Sequence, residues 1–298
     1  MSRTVVRFSV ILKSMNIIFP VLASVLQAGS FVIDKIALSE FKVGYKTYNV
    51  ISWPLISLFS FIAFLIFKLP LEPELFSFGI TINLLALVFL SVVTSIIFYR
   101  ALKNDLLGEV QTIGLFKNIP IVIFSGIIFS DERNLMVISS AVVASVAIAW
   151  SCYDPKYHRF KIARKTLPYL ASTLVFAPMI PILSKEILMV WHPVLLSLVR
   201  NIAIAIIFLV IYYKEIEKVS SKALSLLFLT NLLTTVAGIL YFFSYKSFGI
   251  VYTILIFSLE PILVRLASIF FLKESFTYKK ISAFVVVLAS IVINQVIL

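Results

Sequence analysis

The 298-residue chain is poor in the residues that soluble enzymes and secreted domains depend on. Its one cysteine, Cys152, excludes a disulfide framework and a multi-thiolate metal site. Its two histidines, His158 and His192, lie far apart near segment ends, which speaks against zinc or haem. Charged residues make up 13% of the chain, about half the share of an ordinary soluble domain. Only 8 glycines occur and none are spaced as G-x-x-x-G, so close helix packing has to rest on alanine and serine. Ser140-Ala141-Val142-Val143-Ala144, Ser282-Ala283 and Ala289-Ser290 offer such small surfaces. There is no G-x-S-x-G, no H-E-x-x-H and no Walker loop. No catalytic residues and no cofactor are therefore expected, and the chain does not read as an enzyme.

What the chain has instead is apolar surface: 61% hydrophobic residues and a mean hydropathy of +1.08. A water-soluble globule of this size cannot bury that much, so part of its solvent is the lipid bilayer. The net charge of +12 then reads as loop lysines and arginines facing lipid headgroups, with no nucleic acid implied. Apolar stretches long enough to span run at roughly 14–34, 48–69, 76–99, 106–129, 134–153, 166–188, 193–213, 222–245, 249–272 and 277–298. The expected fold is all-α and integral to the membrane, with ten transmembrane helices. The first span is too long for a removable signal peptide and shows no small-residue cleavage site.

The joints are short and charged, as in Asp131-Glu132-Arg133 and Lys214-Glu215-Ile216-Glu217-Lys218. The longest divides the chain into residues 1–153, a basic loop at 154–165, and residues 166–298. The two sides echo each other. Leu22-Ala23-Ser24 recurs as Leu170-Ala171-Ser172, and Lys35 has its counterpart in Lys185. Asn118-Ile119-Pro120 answers Leu259-Glu260-Pro261, and each proline precedes a short acidic joint. An odd number of spans per half places the second half upside down relative to the first, an inverted repeat with solute handled near the midplane.

Within the spans stand Lys117, Arg200, Glu260 and Arg265, with Glu109 in the first turn of span four. A charge at the bilayer centre costs about 2.5–3.5 kcal/mol, so these groups should pair or face a wet cavity. Pro261 should kink span nine beside Glu260 and free a carbonyl, and Pro120 should do the same in span four. Thr253 shares a helical face with Glu260, and Gln111 shares one with Asn118. Glu260 and Lys117 are expected to face each other across a cavity, binding an amine or proton and an anionic group respectively. The competing reading is an ion pair that locks the repeats together. Arg200, two turns into span seven, is expected to snorkel to a lipid phosphate. Asp34 falls at a span end.

Gln27 and Ser30 in span one are further candidates for the cavity, and Pro178 and Pro181 should open the backbone of span six. Tyr99 and Tyr241 sit at matching ends of repeat-related spans. They read either as an aromatic cavity wall or as an interfacial belt, the belt being favoured. Trp53, Trp150 and Trp191 read as interface anchors by the same logic.

Ten spans in two halves, Pro261, then Leu272-Lys273-Glu274-Ser275-Phe276-Thr277 and Lys279-Lys280-Ile281-Ser282-Ala283-Phe284, resemble the EamA-type drug/metabolite transporters. The first half departs from that pattern: Phe129-Ser130-Asp131-Glu132-Arg133-Asn134 lacks the leucine and the threonine. The resemblance implies two EamA-like five-span repeats and a carrier for small metabolites. Its cavity would be lined by spans one, three, four, six, eight and nine. The expected function is secondary transport of an amino acid or amphipathic compound across the cell membrane by alternating access. With no nucleotide-binding loop, the driver is a proton gradient or an exchanged solute. A channel or a non-transporting scaffold subunit is the alternative, and the protein would be a monomer or homodimer. Family habit puts both termini in the cytoplasm. The Lys/Arg count at the joints, seven on the terminal side against sixteen opposite, favours termini outside.

Overall fold

The computed structural model describes residues 3–69, 77–104, 107, 110, 114, 117–151, 167–272, 282, 285–290 and 293. Glu109, Gln111, Cys152, His158, the basic loop at 154–165 and the Glu274–Thr277 stretch lie outside them, as does the side chain of Arg265. The described residues form helices and turns with no strand among them. The helices are α1 (Arg3–Ser39), α2 (Tyr45–Phe67), α3 (Phe78–Asn104), α4 (Asn118–Ile128), α5 (Leu135–Ser151) and α6 (Leu167–Val175). They continue with α7 (Met179–Leu188), α8 (Pro193–Tyr212), α9 (Ser221–Phe248), α10 (Ile250–Phe257) and α11 (Glu260–Leu272).

Six stretches are long and apolar enough to cross a membrane: Ile18–Ser39, Tyr45–Phe67, Phe78–Asn104, Pro168–Leu188, Pro193–Glu215 and Ser221–Phe248. Their outer faces carry large apolar side chains, with Phe78 83% and Ile66 72% exposed. Such a surface suits acyl chains and not water.

Local signals place the helix starts. Ser220 accepts from the Ala223 N–H at 3.3 Å to cap α9, and Asn134 accepts from Met136 (3.0 Å) and Val137 (3.3 Å) to cap α5. His192 caps α8 through Nδ1, accepting from Val194 at 3.3 Å, with Pro193 next in line. Burial and then the neighbouring Lys246 charge hold this imidazole below its usual range. Neutral His192 is the form that can accept, so its contribution to stability is present above the unfolded-state value of 6.5 and is lost as pH falls. His192→Asn should keep the cap and flatten that acid-side slope in thermal melts.

The halves interleave. α1 packs on α9 and α11, α2 on α8, and α3 on α7 and α8. In a bilayer no hydrophobic drive pulls helices together, and small polar groups take over. Ser30 meets Thr230 (2.8 Å) and Thr234 (2.6 Å) between α1 and α9. Asn201 of α8 donates to Ser60 of α2 at 3.0 Å, Asn231 of α9 donates to Ser52 of α2 at 3.1 Å, and Ser95 of α3 donates to Asn49 of α2 at 2.8 Å.

The prolines of spans four and nine act differently from the kinks expected of them. Span six breaks at Phe176–Pro178, and Pro181 sits in the first turn of α7. Span nine breaks at Ser258–Leu259, so Glu260 and Pro261 open a new helix. Pro120 likewise lies in the first turn of α4, just after a turn at Lys117. A first-turn proline sacrifices no helical hydrogen bond. These spans are interrupted, not bent around a mid-helix proline. Trp191 also departs from expectation: it is fully buried in the core and anchors no interface, whereas Trp150 is 51% exposed.

Candidate functional site

A cavity of about 350 Å³ lies where the interrupted helices meet. Among the described residues its charged lining is Lys117 at the start of α4, Glu260 at the start of α11, and Arg200 of α8. Asn118, Tyr99 of α3, Tyr241 of α9, Pro181 and Pro261 also line it, so much of the expected set converges. Lys117 and Glu260 share the cavity without an ion pair between them. Neither side chain makes a hydrogen bond to another described residue.

Arg200 corrects the snorkelling expectation. Its Nε and Nη2 donate to Ser91 Oγ of α3 at 3.1 and 3.0 Å. Its guanidinium lies 5.9 Å from both the Trp53 and Phe242 ring centres. A partner serine and two aromatic faces inside the protein hold it better than a headgroup would. The two tyrosines are cavity wall and not belt. Tyr99 packs on Tyr48 at 4.3 Å, and Tyr241 packs on Phe257 at 4.2 Å and accepts a hydrogen bond from Tyr245. Trp53 lines the cavity too, its indole N–H shared between Asn49 and Ser95 at 3.3 Å each.

Other expected residues lie elsewhere. Thr253 is fully buried and spends its hydroxyl on the Gly249 carbonyl four residues back, at 2.7 Å. Ser30 is buried in the α1–α9 contact described above. Gln27 is half-buried on α1 and Pro178 precedes α7; neither is part of the cavity lining.

One end of the bundle is tied by a charge cluster that sequence reading left as an ordinary joint. Glu132, in the turn Ser130–Glu132 after α4, is buried with its side chain 3% exposed. Lys185 of α7 donates to Glu132 at 2.6 Å and to Asp131 at 2.7 Å. The same Glu132 carboxylate accepts the first backbone N–H groups of α10, from Ile250 (2.6 Å) and Val251 (2.7 Å). An anion at a helix N-terminus satisfies donors that nothing else in the helix can reach. At the opposite end of α8, Lys46 of α2 pairs with Glu215 on the surface.

No curated protein matches the sequence at a significant level. Among solved structures 28 chains match. One, the crystal structure of a protein at 11% sequence identity, aligns with a TM-score of 0.76 over 95% of this chain and 97% of its own. At that identity the likeness shows a shared fold alone. Residues 165–295, most of the second half, match the EamA-like transporter family, consistent with the drug/metabolite transporter superfamily and with a multi-pass membrane protein of the transporter kind.

Proposed function

We propose that the chain is a secondary transporter that moves a small zwitterionic or amphipathic metabolite, such as an amino acid, across the cell membrane by alternating access. The observation that carries this reading is the cavity, with Lys117 and Glu260 at the starts of two half-helices and no ion pair between them. Its size suits a small metabolite. Lys117 and Arg200 would receive a carboxylate and Glu260 an amine, while Tyr99, Tyr241 and Phe257 would pack on the solute's apolar part. The rest of the reading is a ten-span arrangement of two inverted repeats, in which the interrupted spans four, six and nine act as joints. The family match supports carriage over a scaffold role.

The test is a ligand-induced thermal shift against amino acids, nucleobases, sugars and cationic dyes, with wild type and Glu260→Gln side by side. A ligand at a hundred times its Kd stabilises by about 2.7 kcal/mol. Amino acids should raise the melting temperature of wild type, and Glu260→Gln should lose most of that rise. An equal shift in both proteins would remove Glu260 from the site. A shift with cationic dyes alone would overturn the zwitterion reading.

A further inference from the structure

Asp34 of α1 is fully buried, well inside a helix that continues to Ser39. Its two oxygens are treated very differently. Oδ1 accepts from the Tyr48 hydroxyl of α2 at 2.5 Å and from the Thr230 hydroxyl of α9 at 2.6 Å. Oδ2 is buried and has no hydrogen-bond partner among the described residues. Among the described residues no cation pairs with it: Lys35, the next residue, sends its amine to the Leu102 carbonyl at 2.7 Å.

Among the described residues two titratable groups face this carboxyl, Tyr48 of α2 and Tyr99 of α3. α9 supplies the Thr230 hydroxyl beside the apolar Ala223 and Leu227, and α11 brings Leu263, Val264 and Ala267. A carboxylate needs donors on both oxygens, whereas a carboxylic acid leaves one oxygen needing far less. The cluster solvates one oxygen and leaves the other dry. Tyr48 and then Tyr99, whose rings pack at 4.3 Å, connect it to the cavity wall.

We propose that Asp34 is the proton-binding site of the carrier, a site distinct from the solute-binding Glu260. In the arrangement seen here the proton sits on Oδ2. When α1 parts from α9, breaking the Ser30 and Thr230 contacts, water reaches the carboxyl and the proton leaves to it, so that proton movement follows the same rearrangement as solute movement. The coupling rests on the carrier reading above, but the proton site does not.

Infrared difference spectroscopy of the protein in lipid, titrated with acid and base, tests the site without any ligand. A protonated-carboxyl stretch should be present in wild type, disappear in Asp34→Asn and persist in Glu260→Gln. Tyr48→Phe should keep the band and shift it, because Oδ1 loses one donor; this variant decides the matter if Asp34→Asn does not fold. A band that survives Asp34→Asn, or does not respond to Tyr48→Phe, overturns the proposal. Proteoliposomes given a mixture of the standard amino acids then test coupling. Asp34→Asn should retain counterflow and lose accumulation driven by an imposed pH gradient, and accumulation equal to wild type overturns the coupling. If wild type shows no counterflow while the band behaves as expected, the amino-acid carrier reading fails and the proton site stands.

Discussion

Truncating Glu132 to alanine should destabilise the protein by about 3–5 kcal/mol, the cost of stranding one partner of a buried ion pair. The expected size follows from how much one carboxylate does. Its Oε1 receives both the Lys185 amine and the Ile250 N–H, and its Oε2 receives the Val251 N–H. Removal leaves two first-turn donors of α10 without acceptors. Lys185, itself only 8% exposed, would then keep Asp131 alone. Lys185→Met should cost less, because the carboxylate keeps its two backbone donors. Asp131→Asn should cost under about 1 kcal/mol, since Asp131 is 66% exposed and its pair is screened. Denaturant unfolding in mixed micelles, read by tryptophan fluorescence, gives the order. Equal losses for Glu132→Ala and Asp131→Asn would show that the cluster is not organised around Glu132.

The second large effect is expected at Gly249, the joint between α9 and α10. Its φ of 81° and ψ of 175° lie where essentially only glycine goes, and placing another residue there costs about 1–3 kcal/mol. A methyl group at this position would also stand 2.7 Å from Glu132 Oε1, closer than side chains pack. Gly249→Ala must therefore both strain the backbone and push the carboxylate off the N–H groups it caps. Its loss should approach that of Glu132→Ala. The pair makes a double-mutant cycle with a sharp expectation. With the carboxylate already gone, Gly249→Ala retains only its backbone strain, so the combined loss falls short of the sum of the single losses. Additive losses would mean that the close approach is relieved without disturbing the cap.

How much of this was legible in the sequence depends on where charge meets apolar context. Lys117 and Glu260 stood out because ionisable groups in apolar stretches are expensive, and the chain places both on one cavity. Pro120 and Pro261 marked the right places for the wrong reason, opening new helices instead of bending old ones. Asp34 was lost to a boundary: ending the first span at residue 34 made it an edge group, while α1 runs on to Ser39. Arg200 was misread because depth was counted from the span end, when what decides its fate is Ser91 across on α3. A helix that is apolar all round carries no stripe to say which side faces protein and which faces lipid. The same blindness hid Trp191 in the core and put Thr253 on the cavity. Glu132 was visible as a joint residue, but its partners at Lys185, Ile250 and Val251 come together only in three dimensions.

The described lining of the cavity holds two formal cations, Lys117 and Arg200, against one formal anion, Glu260. A net charge inside a bilayer feels the voltage across it. Carrying one elementary charge through 100 mV is worth about 2.3 kcal/mol. In a carrier whose empty cavity switches sides, any part of the field that these charges cross becomes electrical work, so the cell's potential speeds one direction of reset and slows the other. A solute bearing one net negative charge would cancel that excess. Its loaded step would then be electrically silent, while the return of the empty protein set the pace.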